Sequence, residues 1–189
     1  VYGVTAPRNG CGAEFVAVKE TECALLPKAL ASTGDWGMAA TLPTAACTAY
    51  RGIVTLGQVA SGQRVLVHGA AGGVGSAAVQ IAKAAGCEVW GTCSAANRAY
   101  VTSLGATPLD YTKLAAELEA AGLSGGGGGS SSRDETSGGG SSRGILLDLV
   151  YDSVGGDDLY RVSRPLLRRG GKYVTAVGPI RHGGSEPVT

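Results

Sequence analysis

The stretch "RVLVHGAAGGVGSAAVQIAKAAG", residues 64–86, decides the fold. Val65, Leu66 and Val67 form a short apolar run that ends in glycine, as a strand covered on both faces of a parallel sheet does. Val74, Ala77, Ala78, Ile81, Ala82 and Ala85 then recur at spacings of three and four, which predicts a helix, and Gly86 supplies its stop. The turn between them, residues 69–75, therefore joins a strand to a helix whose first amides point outward without partners.

Such a turn suits an anion. Free amides and the helix dipole converge on it, and the missing side chain at Gly72 lets a diphosphate approach the backbone. Gly75 permits close contact between helix and sheet. The dinucleotide spacing of three glycines is present with Ala70 in the first place. A phosphate loop of the Walker type fails, because no lysine followed by serine or threonine closes the turn. A glycine turn also serves packing alone, so the rest of the chain has to decide.

The 189 residues allow one sizeable core and part of another. Lysine plus arginine number 16 against 15 acidic residues, which removes any global electrostatic argument for DNA, RNA or an acidic membrane. Cys11, Cys23, Cys47, Cys87 and Cys93 are odd in number and lack paired close spacing, and His68 and His182 are the only histidines. That pattern argues for a reducing compartment and against a structural zinc site. Each apolar stretch is interrupted by charge or glycine, so no membrane span is expected. The chain starts at Val1 without a signal pattern and reads as internal sequence of a longer protein.

Outward from the glycine turn, strands are expected at residues 15–18, 87–93, 106–111, 145–151 and 173–177, with a further apolar segment at 23–26. Helices are expected from near Pro43 to Leu56, over 97–104 and 112–121, and through Leu159, Val162, Leu166 and Leu167. This alternation predicts an α/β fold with right-handed crossovers and a parallel sheet. The Gly/Ser tract at residues 124–143 has no apolar face and is expected to be a flexible insertion. The basic cluster "RPLLRRGGK", with Arg164, Arg168, Arg169 and Lys172, is expected at a solvated helix end.

The segments "LPTAACTAYRGI", "GQRVLVHGAAGGVGSAAVQIAKAAG", "VWGTCSAANRAYVTSLGA", "LVYDSVGG" and "GGKYVTAVG", in that order, resemble the zinc-independent quinone oxidoreductase-like branch of the medium-chain dehydrogenase/reductase superfamily. The resemblance covers most of residues 10–179 and accommodates Ala70. It implies a Rossmann-type parallel sheet with helices on both faces, preceded by a remnant of a small β-rich, GroES-like catalytic domain. The expected division is 1–37 for that remnant, 38–61 for a connecting helix region, 62–180 for an incomplete NADP-binding domain and 181–189 for a tail. The final strand and return to the catalytic domain, expected after Pro179, are not evident in the sequence.

For the parent protein the resemblance implies hydride transfer from NADPH to a quinone or an α,β-unsaturated carbonyl compound. It implies cofactor contacts from Ala71, Gly72, Gly73, Val74 and Gly75 in the glycine turn. Thr48 would lie on the nicotinamide side, with Tyr111, Ser153, Val154, Val177 and Gly178 at the ends of later strands. Thr92, Ser94 and Arg98 would set cofactor choice, since the segment after the second strand carries no carboxylate to repel a 2′-phosphate. No catalytic residue is assigned. A homodimer is expected for the full-length protein, soluble and intracellular, in cytoplasm or organelle. The competing reading is a noncatalytic nucleotide-binding subunit of a larger assembly.

Overall fold

The computed structural model describes residues 14–123 and 145–178, together with the backbone of 2–3, 180–181 and 187–188. The strands are β1 (Tyr2–Gly3), β2 (Cys23–Ala24), β3 (Arg64–His68), β4 (Glu88–Cys93), β5 (Thr107–Asp110), β6 (Leu147–Asp152), β7 (Leu167–Thr175), β8 (Ile180–Arg181) and β9 (Pro187–Val188). The α-helices are α1 (Lys28–Ala31), α2 (Trp36–Thr41), α3 (Cys47–Tyr50), α4 (Gly73–Ala84), α5 (Arg98–Ser103), α6 (Leu114–Ala120) and α7 (Asp157–Ser163).

Five strands form one sheet in the order β5-β4-β3-β6-β7, all neighbours parallel. The chain moves outward from β3 through β4 to β5, then returns to the other side of β3 as β6. The reversal opens a crevice beyond the carboxyl ends of β3 and β6, where His68 and Asp152 are register partners. Alternation along the strands sends Val65, Val67, Val89, Leu149 and Tyr151 to one face, with α3 and α4 residues, while Leu66, Trp90 and Val150 join Leu114, Leu118 and Leu166 on the other. Both faces are covered, as the continuous apolar strands require. The parallel α/β architecture read from the sequence is the one observed.

Several local expectations are corrected. Residues 15–18 form no strand, and Phe15 is 90% exposed. β-branched and aromatic character there finds no partner ladder among the described residues, and an unpaired strand has no stability of its own. The apolar segment at 23–26 contributes only Cys23–Ala24, paired antiparallel with β1. The helical run that contains Pro43 begins at Trp36 rather than near Pro43 itself, because the Asp35 carboxylate accepts the Met38 N–H at 2.8 Å and caps the first turn. Pro43 sits inside the run, which widens to π-type turns over Leu42–Ala46 and again over Arg51–Leu56.

Leu166 and Leu167 do not extend the helix after β6. α7 stops at Ser163, Pro165 lies in a 3-10 turn, and Leu167 opens β7, which runs six residues earlier than expected. Of the basic cluster, Arg164 caps the C-terminus of α7, while Arg168, Arg169 and Lys172 lie on a strand. Arg168 pairs with Asp148 of β6, and the Lys172 ammonium donates to the Leu56 carbonyl at 3.1 Å and to Gln58 Oε1 at 2.6 Å. The tract at 124–143 and the residues His182 and Cys11 lie outside the described residues. Among the described residues no helix is long and apolar enough to cross a membrane.

Candidate functional site

The site is built where β3 runs out of apolar residues. Gly69 leaves the strand at φ +73°, a conformation that a side chain disfavours. Thr92 of β4 then holds the turn: its Oγ1 accepts the Gly69 N–H at 3.0 Å and its carbonyl accepts the Ala70 N–H at 2.9 Å. The Gly72 N–H donates back to Gly69 O at 2.9 Å, and Ser76 N–H makes the first helical bond, to Gly72 O at 2.8 Å. The amides of Gly73, Val74 and Gly75 fall between those two bonds, at the open N-terminus of α4. A Cβ on Gly75 would overlap the Gly69 carbonyl, so only glycine lets the helix start this close to the turn.

A cavity of about 740 Å³ opens over this turn. That size and its position at the point of strand reversal are those of a small-molecule site. Of the residues expected at a cofactor, Ala71, Gly72, Gly73, Val74, Gly75, Thr92, Ser94, Tyr111, Ser153 and Val154 all line it. Thr48, Arg98, Val177 and Gly178 do not. Val177 stands just behind the wall, since a Cβ on Gly155 would meet its side chain at 3.2 Å. Thr48 lies in α3 and offers its carbonyl to the Tyr151 hydroxyl at 3.4 Å. Arg98 is turned to Glu117 of α6, Nη1 donating to both carboxylate oxygens at 3.1 and 3.2 Å.

Cys93, Asn97 and Leu159 also line the cavity, although none belongs to the expected set. Asn97 had a local signal, being a polar residue three positions after Ser94, to whose Oγ its amide donates at 3.1 Å. Cys93 had none, because the inward and outward faces of β4 cannot be told apart at its end.

Beneath the wall lies a buried polar layer. His68 is fully buried, with Nε2 at 2.7 Å from Ser163 Oγ and Nδ1 at 3.3 Å from Thr92 Oγ1. Burial lowers its pKa to about 4, with the Asp152 charge opposing that shift, so the imidazole is neutral at pH 7. Asp152, also buried, accepts the amides of Val154 and Gly155 on Oδ1, each at 2.9 Å, and the Tyr173 hydroxyl on Oδ2 at 2.8 Å. Burial together with that bond raises the Tyr173 phenol well above its ordinary value. Ser153 Oγ donates to the His68 carbonyl at 2.7 Å. Strand ends and cavity floor are thus locked together through His68, Asp152, Ser163 and Tyr173, which do not line the cavity, and through Thr92 and Ser153, which do.

Residues 73–185, more than half of the chain, match the family profile of the zinc-binding dehydrogenases. The chain belongs to that family. The mouse mitochondrial NAD(P)H oxidoreductase RTN4IP1 is 32% identical over 95% of this chain and 41% of its own length. Among solved structures, the CurK enoyl reductase superposes with TM-score 0.62 at 30% identity, covering 80% of this chain and 39% of that one. The quinone oxidoreductase from Coxiella burnetii does so with TM-score 0.56 at 32% identity, covering 72% and 36%. These likenesses place the chain with the enoyl- and quinone-reductase members of the medium-chain dehydrogenase/reductase superfamily. It spans about two-fifths of each of these three relatives.

The family name raises the question of zinc. Among the described residues, no group of three or more histidine, cysteine or acidic side chains is placed to hold a metal. His68 already has both ring nitrogens engaged. The described residues therefore do not fit a zinc centre.

Proposed function

We propose that the cavity holds NADPH and that the parent protein transfers hydride to a quinone or an α,β-unsaturated carbonyl compound. The observation that carries this reading is the turn after β3. It offers the open amides of Gly73, Val74 and Gly75 to a cavity at the strand reversal, with no side chain at Gly72 to obstruct a diphosphate. The bound cofactor would supply a hydride equivalent, with a proton from solvent completing reduction of the acceptor.

In this reading Ala71–Gly75 cradle the diphosphate, and Thr92, Ser94, Arg98 and Tyr111 surround the adenosine ribose. Ser153 and Val154 line the path toward the nicotinamide, with Thr48, Val177 and Gly178 at its far end. Asp152 positions that path by fixing the Val154 and Gly155 amides. Residues 1–37 belong to the substrate-side domain, and 62–180 to the cofactor domain. The mouse relative is named for NAD(P)H oxidation and the CurK relative for enoyl reduction, which supports this substrate class.

A second reading draws on Phe15, Leu25 and Trp36, which are 90%, 84% and 68% exposed. Large apolar side chains left in water favour burial against another surface, as in a homodimer or a larger assembly.

The test is anaerobic NADPH oxidation by the full-length protein against a panel of quinones and enones, alongside native mass spectrometry. Turnover with at least one acceptor is expected. Absence of turnover from a folded protein that still binds NADPH would leave a noncatalytic subunit, and absence of NADPH binding would overturn the cofactor assignment.

A further inference from the structure

β4 ends at Cys93, and residues 94–97 pass along the cavity before α5 begins at Arg98. In a sheet of this order the adenosine ribose lies at that strand end, where a carboxylate selects a free 2′-hydroxyl and an arginine accommodates a 2′-phosphate. The segment "GTCSAANR" contains no carboxylate, yet the tertiary structure brings two from the next unit. Glu117 of α6 holds Arg98 through both its oxygens, and Asp110 stands at the end of β5. Cys93, on the cavity wall, is the register partner of Asp110. Asn97 and Tyr111, the chain neighbours of Arg98 and Asp110, line the cavity, so the Arg98–Glu117 pair adjoins its ribose end without lining it.

We propose that Glu117 sets the cofactor preference of this site by holding Arg98 in an ion pair for which a 2′-phosphate must compete. The inference rests on the dinucleotide reading above. A phosphate monoester binds arginine through parallel N–H donors. One of those donor groups, Nη1, is committed to Glu117. A 2′-phosphate must either displace the carboxylate or share the guanidinium with it against like-charge repulsion. A ligand with a free 2′-hydroxyl meets neither cost. Discrimination in favour of the phosphorylated cofactor is consequently smaller than an unpaired arginine would give, and Glu117 is its adjustable element.

The test is calorimetric titration of the whole chain with 2′,5′-ADP and with 5′-AMP, which differ only by the 2′-phosphate, for the wild type, Glu117→Gln, Arg98→Ala and the double variant. The pair is partly exposed, so its release is expected to tighten 2′,5′-ADP about two- to fivefold while 5′-AMP is unchanged. Arg98→Ala weakens 2′,5′-ADP alone, and the double variant behaves as Arg98→Ala. Glu117→Asp, which keeps the charge but retracts the carboxylate, gives a smaller shift of the same sign and serves if the glutamine variant does not fold. Equal changes for both ligands would make Glu117 a brace between α5 and α6 and overturn the assignment, as would an unchanged ratio. Binding of neither ligand to the wild type would overturn the dinucleotide reading and this assignment with it.

Discussion

Gly75 stands over the carbonyl group of Gly69, so close that a Cβ added to it would overlap the oxygen and lie 2.7 Å from the carbonyl carbon. The neighbour is backbone and cannot rotate away. Gly75→Ala is therefore expected to displace the turn, destabilising the protein by about 1–3 kcal/mol and weakening nucleotide binding more than that loss alone explains. Urea denaturation and NADPH titration of the same variant check this. Wild-type stability and affinity would show that the turn yields freely.

His68 makes stability depend on pH. Its pKa is about 4 in the folded protein, against 6.5 without burial. Between those values the unfolded chain binds more protons, so stability rises with pH. The contribution is fully present above pH 6.5 and is lost as pH falls toward 4, amounting to about 3 kcal/mol. Denaturation midpoints measured from pH 7.5 to 4.5 should fall for the wild type, and His68→Gln should flatten that part of the profile. A slope unchanged by the substitution would assign it to other groups.

The Asp152 carboxylate serves three donors at once: two amides and the Tyr173 hydroxyl. Asp152→Ala leaves both amides and the Tyr173 hydroxyl without their acceptor and should cost about 2–3 kcal/mol, loosening the 153–155 loop on the cavity wall. Tyr173→Phe leaves both amides bonded and should cost less, about 1–2 kcal/mol. Chemical denaturation ranks the two, and hydrogen exchange at the Val154 and Gly155 amides should quicken only for Asp152→Ala. The reverse ranking would remove the carboxylate from its central role.

Gly52 lies against the ring of Tyr151, where a Cβ would overlap Cε2 and sit 2.8 Å from Cδ2 and Cζ. The helix containing it can approach β6 only while that position is bare. Gly52→Ala should destabilise by about 1–3 kcal/mol, and Tyr151→Leu in the same chain should recover part of the loss. Additive losses in the double variant, measured by thermal denaturation, would show that the ring is not the obstacle.

The sequence by itself determined the sheet, because its evidence is local. Apolar runs at Val65–Val67 and Leu149–Tyr151, glycine at the strand exits and helical spacing through α4 each reflect a few consecutive residues and the backbone's own geometry. The glycine turn was legible for the same reason, and with it Ala71, Gly72, Gly73, Val74 and Gly75 on the cavity, while Tyr111, Ser153 and Val154 were expected from the family resemblance. Periodicity gave no boundary for the helix that starts at Trp36 or for β7, since a side-chain cap at Asp35 and a proline at 165 act outside the apolar pattern.

Only the tertiary structure decided what the charged and polar residues do. Arg98 reads alone as a free cation beside a carboxylate-free strand end, but Glu117, nineteen residues away, folds back to occupy it. His68 has two readings in the sequence, the cofactor side of the turn or a polar pocket, and the packing of Thr92 and Ser163 against both ring nitrogens inside the core decides for the pocket. Apolar burial is set by spacing along one element, while the partner of a charge or a hydrogen-bonding group is whichever distant element the packing brings within 3 Å or so. That placement is a property of the assembled layers and has no local signature.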